Sequence, residues 1–202
     1  QRGFRYAVEG AYELGRIATT AEASDLSAFA VAARVELETA LPFHLTFGAK
    51  GAYASGDDGP LDANATRHAF DPIAPELHEN HGAMDLYAWS NLIEAGAHVA
   101  ARPSERTGVR VAYQLAAMAE PRGRWTTAAL VPVGSAPTND ARLLGHELDL
   151  IFRIDPWDPL RIDAGYGLFV VGDAAKAILD EAGRAGSDLQ HWAFLQATVR
   201  AP

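Results

Sequence analysis

At 202 residues the chain has room for one domain, and 49% apolar against 21% charged residues excludes global disorder. A net charge of -9 argues against nucleic acid as a partner, because phosphate recognition needs clustered Lys and Arg. No cysteine is present, which removes thiol catalysis, disulfides and cysteine-ligated metal centres. Neither a run of about 18 apolar residues, which a membrane helix needs, nor a basic leader with an apolar core occurs. The chain is therefore expected to be cytosolic or to have lost a leader, unless it crosses a membrane as strands. Strands give a weak hydropathy signal because only every second side chain meets lipid.

In chain order, the expected elements are strands of period two. Residues 3–16 set Phe4, Tyr6, Val8, Tyr12 and Leu14 against Arg5, Glu9 and Glu13. Residues 28–41 set Phe29, Val31, Val35 and Leu37 against Arg34, Glu36 and Glu38. Residues 43–54 set Phe43, Leu45, Phe47 and Tyr53 against His44, Thr46 and Lys50. Residues 86–102 set Tyr87, Trp89, Ile93 and Val99 against Glu94, His98 and Arg102. Residues 108–118 set Val109, Val111 and Tyr113 against Arg110 and Gln114. Residues 146–155 set Leu148, Leu150, Phe152 and Ile154 against Glu147, Asp149, Arg153 and Asp155. Residues 160–170 set Leu160, Ile162, Tyr166 and Leu168 against Arg161 and Asp163. Residues 189–200 are ambiguous, since Leu189, Leu195 and Val199 compete with Trp192 and Phe194 for the apolar face. Before them, "DAAKAILDEAGRAG" (173–186) has helical propensity and is expected to form a short helix ended by Gly183 or Gly186.

Short turns rich in Pro, Asp and Ser at 41–43, 102–107 and 155–160 alternate with longer connections at about 17–27, 55–85, 119–145 and 171–188. Loops sorted by length to opposite ends are the layout of an outer-membrane barrel. The expected fold is all-β: a transmembrane antiparallel up-and-down β-barrel with eight strands in this chain, one domain over residues 1–202. Charges facing lipid cost about 2–4 kcal/mol each for Arg or Lys at mid-bilayer, so the charged faces belong inside. Their acids and bases are nearly equal in number there. Arg34, Glu36, Lys50, Arg110, Glu147, Asp149, Arg153, Arg161 and Asp163 are the candidate lumen-lining residues. Tyr87 and Trp89 at one end, with Phe43 and Trp157 at the other, read as aromatic girdles. The alternative is a soluble barrel or sandwich with the apolar faces inward, which would bury many aromatics and no polar network.

From the third strand onward the chain reads "GAYASGDDGPLDANATRHAFDPIAPELHENHGAMDLYAWSN". The "ASGD" at 54–57, "FDP" at 70–72, His78, Gly82, Asp85, Trp89 and Asn91 follow in an order that resembles the alginate-export family of outer-membrane barrels. Pro103, "LGHELDL" (144–150), "AGYGLFVVGDAA" (164–175) and the opening "YAVEGAYELG" extend the resemblance along almost the whole chain, as the C-terminal half of the family pattern. The resemblance implies a bacterial outer-membrane location, contact with outer-membrane lipid, and no enzymatic activity. It also implies a larger barrel of about 16–18 strands, wide enough to conduct. The chain could close alone, lack strands upstream, or share a barrel with other chains; an eight-stranded barrel closed on itself is the favoured reading. Asp57, Phe70, Asp71, His78, Gly82, Asp85 and Asn91 take a structural or pore-lining role by the same resemblance.

The cluster "HENHGAMD" (78–85) suggests a metal site, but its H-E-N-H spacing is not a zinc signature. Loop folding is the favoured reading, and no cofactor is expected. A Ca2+ ion in the external loop "SGDDGPLDAN", held by Asp57, Asp58 and Asp62, is the weaker option, because its spacing is not that of an EF-hand. "GYG" at 165–167 is no phosphate loop, and Ser90 and Ser104 have no hydrolase context. Paired charges filling a barrel explain the inner carboxylates more simply than a glycosidase pair does. Two functions are weighed: passive passage of an anionic polysaccharide or small solute, and a non-conducting barrel that anchors loops or docks envelope protein partners. A balanced lumen favours the second.

Overall fold

The computed structural model describes residues 3–18, 23–58, 65–74, 81–184 and 186–199. Alternating sequence becomes strand throughout. In chain order these are β1 (Gly3–Ala18), β2 (Ala23–Glu38), β3 (Thr46–Ala54), β4 (Leu92–Ser104), β5 (Thr107–Met118), β6 (Trp125–Thr126), β7 (Pro132–Gly134), β8 (Leu143–Trp157), β9 (Leu160–Val171) and β10 (Leu189–Val199). The short β6 and β7 pair only with each other. The other eight form one antiparallel sheet in the order β1-β2-β3-β4-β5-β8-β9-β10. One helix, α1 (Asp173–Glu181), follows β9. It ends where Gly183 takes φ +66, with Arg184 N–H donating to Leu179 O and Gly183 N–H to Asp180 O.

Register fixes the two faces, because one slipped residue would exchange them. Across the sheet Tyr6 faces Val35, Leu37 faces Phe47, Val111 faces Leu150 and Leu150 faces Tyr166. These side chains point to solvent space. Tyr6 is 74% exposed, Leu195 77% and Leu150 48%. The opposite face carries Arg34, Lys50, Glu94, Gln114, Glu147 and Asp149, together with the buried small residues Ala28, Ala30 and Ala112. Greasy residues outside and ionised ones inside is the arrangement expected of strands in lipid and the reverse of a soluble sandwich. In β10 the ambiguity resolves the same way. Leu189, Leu195 and Val199 face out, while Trp192 and Phe194 lie inward with ring centroids 4.9 Å apart.

Four expectations need correction. The first long connection is largely strand: β1 and β2 stay paired to Ala18↔Ala23. The polar run before residue 28 reads as a loop, yet its side chains pair across the hairpin, Tyr12 with Ser27 at 2.8 Å and Arg16 with Asp25 at 3.2 Å. Second, the segment before Leu92 is loop, because Asp85 (φ +56) and Asn91 (φ +48) adopt left-handed backbone that breaks the extended run. Tyr87 and Trp89 therefore turn inward, Tyr87 to 1% exposure, and form no girdle. Third, Phe43 sits in a short 3-10 turn, Pro42–His44, between strands. Fourth, closure of eight strands on themselves is not found: β1 and β10 are both edges, with no pairing between them among the described residues. Prolines mark the turn ends, where register shifts fall between Ala101 and Ser104 and between Ile154 and Trp157.

Candidate functional site

The inner face divides into two halves along the strands. At the end that carries the long connections it is covered. Phe70, Tyr87, Leu92, Met118, Trp125, Leu144, Phe169 and Ile178 of α1 pack into one buried cluster there. Asn91 fastens the connections to each other. Its side-chain amide donates to Glu120 O (3.0 Å) and Arg124 O (3.2 Å), and its Oδ1 accepts from Glu120 N–H (2.7 Å). Its own N–H donates to Ser55 O. Gly56 lies so close to this amide that an added Cβ would meet Asn91 Oδ1 at 2.0 Å. Ser55 in turn exchanges hydrogen bonds with the backbone of Phe29, and Phe70 packs edge-on to Trp89 with centroids 5.5 Å apart.

Other described motif residues also make contacts within and between the loops. Asp57 accepts from the N–H groups of His68 and Ala69 and lies 3.9 Å from Arg67. Asp71 N–H donates to Glu13 (3.1 Å), and Asp85 O accepts from Ala128 N–H (3.2 Å). His78 and Asp62 lie outside the described residues. Asp58 of the weaker Ca2+ candidate pairs with Arg122 at 3.1 Å, so both described members of that set already have protein partners. Among the described residues no three His, Asp or Glu side chains come close enough to hold a metal.

Residues 81–84 reach the sheet itself. His81 Nδ1 lies 2.7 Å from Glu94 Oε2, while Lys50 Nζ lies 2.6 Å from Glu94 Oε1. Ala83 N–H donates to Asp149 Oδ2 (3.3 Å), which also accepts from Gln114 Nε2 (3.2 Å). Met84 N–H donates to Glu147 Oε1 (3.0 Å). Gly82 makes this approach feasible: its φ is +102, and a Cβ there would meet the Glu147 carboxylate at 2.5 Å. Glu94, Glu147 and Asp149 are at most 3% exposed. Beside them Tyr87 is buried with its hydroxyl unpartnered among the described residues. Burial pushes its phenol well above the ordinary value, and the negative charge of Glu94, Glu147 and Asp149 adds to the shift.

Toward the short turns the inner face is open. A cavity of about 430 Å³ is lined by Arg5, Arg34, Lys50, Arg102 and Arg110, with His44 and His98, against one acid, Glu36. A smaller space of about 120 Å³ between Arg34, Lys50, Trp89 and Glu9 joins it to the inserted residues. Glu36 pairs with Arg5 at 3.2 Å and lies 3.5 Å from His98; Arg102 pairs with Glu38 at 2.9 Å. No ion pair to Arg34 or Arg110 is found among the described residues, and Arg110 lies 3.4 Å from His98. On β8 and β9 the charges neutralise locally, Arg153 with Asp163 (2.6 Å) and Arg161 with Asp155 (2.9 Å). Inner acids and bases are therefore nearly equal in number but unequally placed. Three acids (Glu94, Glu147 and Asp149) are covered, four (Glu36, Glu38, Asp155 and Asp163) are paired, and bases outnumber acids around the open space.

The nine candidate lining residues are expected on the charged side of their strands, and register gives Arg34, Lys50, Glu147 and Asp149 one common face. Sequence reasoning did not see that Glu147 and Asp149 are covered, nor that His81, Ala83 and Met84 are what covers them. The "G" of "HGAMD" was the available signal, since an isolated glycine in a loop often marks a close backbone approach. A family model described as alginate export matches residues 1–187. No curated protein matches the chain.

Proposed function

The chain belongs to the alginate export family, a family of transport proteins and not of enzymes, and on that footing we propose that its sheet forms part of the wall of a bacterial outer-membrane β-barrel that passes an anionic polysaccharide, or a smaller anionic solute, passively. The outward apolar residues face lipid, and the basic cavity faces the passage. The observation that carries the reading is that cavity, where five cationic side chains meet one carboxylate. Cations lining a low-dielectric channel concentrate anions and repel cations. Arg34 and Arg110, with no acid paired to them among the described residues, contribute most, and Lys50 is partly held by Glu94.

The wall takes more strands than these eight. Eight strands enclose space that side chains alone fill, whereas here backbone at residues 81–91 and helix α1 occupy the inner side. Both edges, β1 and β10, then pair with further strands, in keeping with a barrel of about 16–18. The experiment is ion current across planar bilayers under a KCl gradient. Steady current with a reversal potential favouring chloride supports the reading, and Arg34→Glu with Arg110→Glu reverses that preference. Absence of current from correctly folded protein overturns it. A second reading, a non-conducting barrel that docks envelope partners, is favoured by the filled loop end, and is what silence in the bilayer would leave standing.

A further inference from the structure

The inner face would be electrically neutral if all of its charges met the same water, and it is not, because of one short loop segment. Glu94, Glu147 and Asp149 project from β4 and β8 on the same face as the cationic residues. Each is covered by a residue of the loop between β3 and β4: His81 on Glu94, Ala83 N–H on Asp149, Met84 N–H on Glu147. None of the three acids has an exposed side chain, and only Glu94 reaches either cavity, at the smaller one. The loop residues 81–84 cover no arginine: Arg5 and Arg102 keep side-chain exposures of 63% and 60%, and Arg34 is exposed, while Lys50 and Arg110 are half-buried.

We infer that residues 81–84 act as an acid mask: by covering Glu94, Glu147 and Asp149 they convert a charge-balanced interior into an anion-selective one. The inference rests on the passage reading for its purpose but not for its physics. A carboxylate under backbone N–H donors is screened from a passing anion by opposing dipoles and by the exclusion of water. Uncovered, the same carboxylates would stand a few ångströms from the path and repel that anion. Selectivity then resides in neutral backbone as much as in arginine, and Gly82 is its specificity-determining position. Any side chain there strains the positive φ and drives the loop off Glu147.

The test uses the full chain folded in detergent, with Gly82→Val to lift the mask and Met84→Pro as a second variant that removes only the donor to Glu147. Folding is checked by heat-dependent gel mobility. A carbodiimide with glycinamide, read by peptide mass spectrometry, reports which acids are reachable. Exposed Glu9 labels in every protein. Glu147 and Asp149 stay unlabelled in the wild type; both label in Gly82→Val, and Glu147 labels in Met84→Pro. Binding of a galacturonate trimer weakens roughly ten-fold in Gly82→Val, as added acid charge near the anion requires. Combining Gly82→Val with Glu147→Gln and Asp149→Asn restores it, which a merely structural role for the loop would not do. Equal labelling in wild type and variants, or trimer binding that ignores the variants, overturns the mask. Current in bilayers is recorded separately: a silent wild type overturns passage alone, while labelling and trimer binding still judge the mask.

Discussion

The two ends of the inner face are made from the same residue types and behave differently. At the loop end Glu94, Glu147, Asp149 and Gln114 are at most 4% exposed and bound on several sides. At the turn end Arg5, Arg102 and Arg153 are more than half exposed and held by single ion pairs. What differs is the cover, since the long connections fold back over one end and short turns leave the other bare. A polar group acquires structural weight when water is removed from it, and a charge stays available to a solute when water is left.

That contrast can be broken or sharpened by substitution. The largest effect is expected from Glu94→Ala, which leaves His81 buried and Lys50 half-buried without their shared partner. Losing one side of a buried pair costs about 3–5 kcal/mol, read as a fall in the urea midpoint of the folded protein in micelles. A fall no larger than that of a surface variant would abolish the distinction between the ends. Asn91→Ala comes next, at about 2 kcal/mol, because a buried N–H and two carbonyls lose their partner. Limited proteolysis should then cut within 119–124 while the strands stay intact.

Tyr87→Phe tests the loop end with pH. The native phenol holds its proton more tightly than the unfolded one, so its contribution is full below pH about 10 and is lost as pH rises beyond it. Wild-type loops should open to protease in that alkaline range, and Tyr87→Phe should delay the opening while changing little at neutrality. The smallest effect is expected at the turn end. Arg153→Ala, which removes an exposed pair with Asp163, should cost below about 1 kcal/mol and be further hidden by salt. A larger, salt-insensitive loss there would mean that this end is also covered.

The sheet was legible in the sequence because strand period and facing are local properties: alternation through Phe4, Tyr6 and Val8, or Leu148, Leu150 and Phe152, leaves one solution. The site was legible only as a list. That Arg34 and Glu147 share a face follows from parity, but which of them meets solvent depends on where residues 81–91 settle, and that contact spans 63 positions between Met84 and Glu147. The same limit misled the reading of Tyr87 and Trp89, whose apolar alternation continues that of β4 although two left-handed residues turn the chain inward. Ser24 to Ser27 erred in the opposite sense, because polar residues at the end of a long strand look like a turn.

The bare borders at β1 and β10 carry a consequence for assembly. Each presents a row of backbone donors and acceptors, and in hydrocarbon every such group left unsatisfied costs several kcal/mol. As part of the proposed barrel wall, the sheet could not settle into a bilayer first and find its neighbours later. On that proposal, entry into the membrane and stitching of the two seams would be a single cooperative step, completed while the borders are still shielded from lipid.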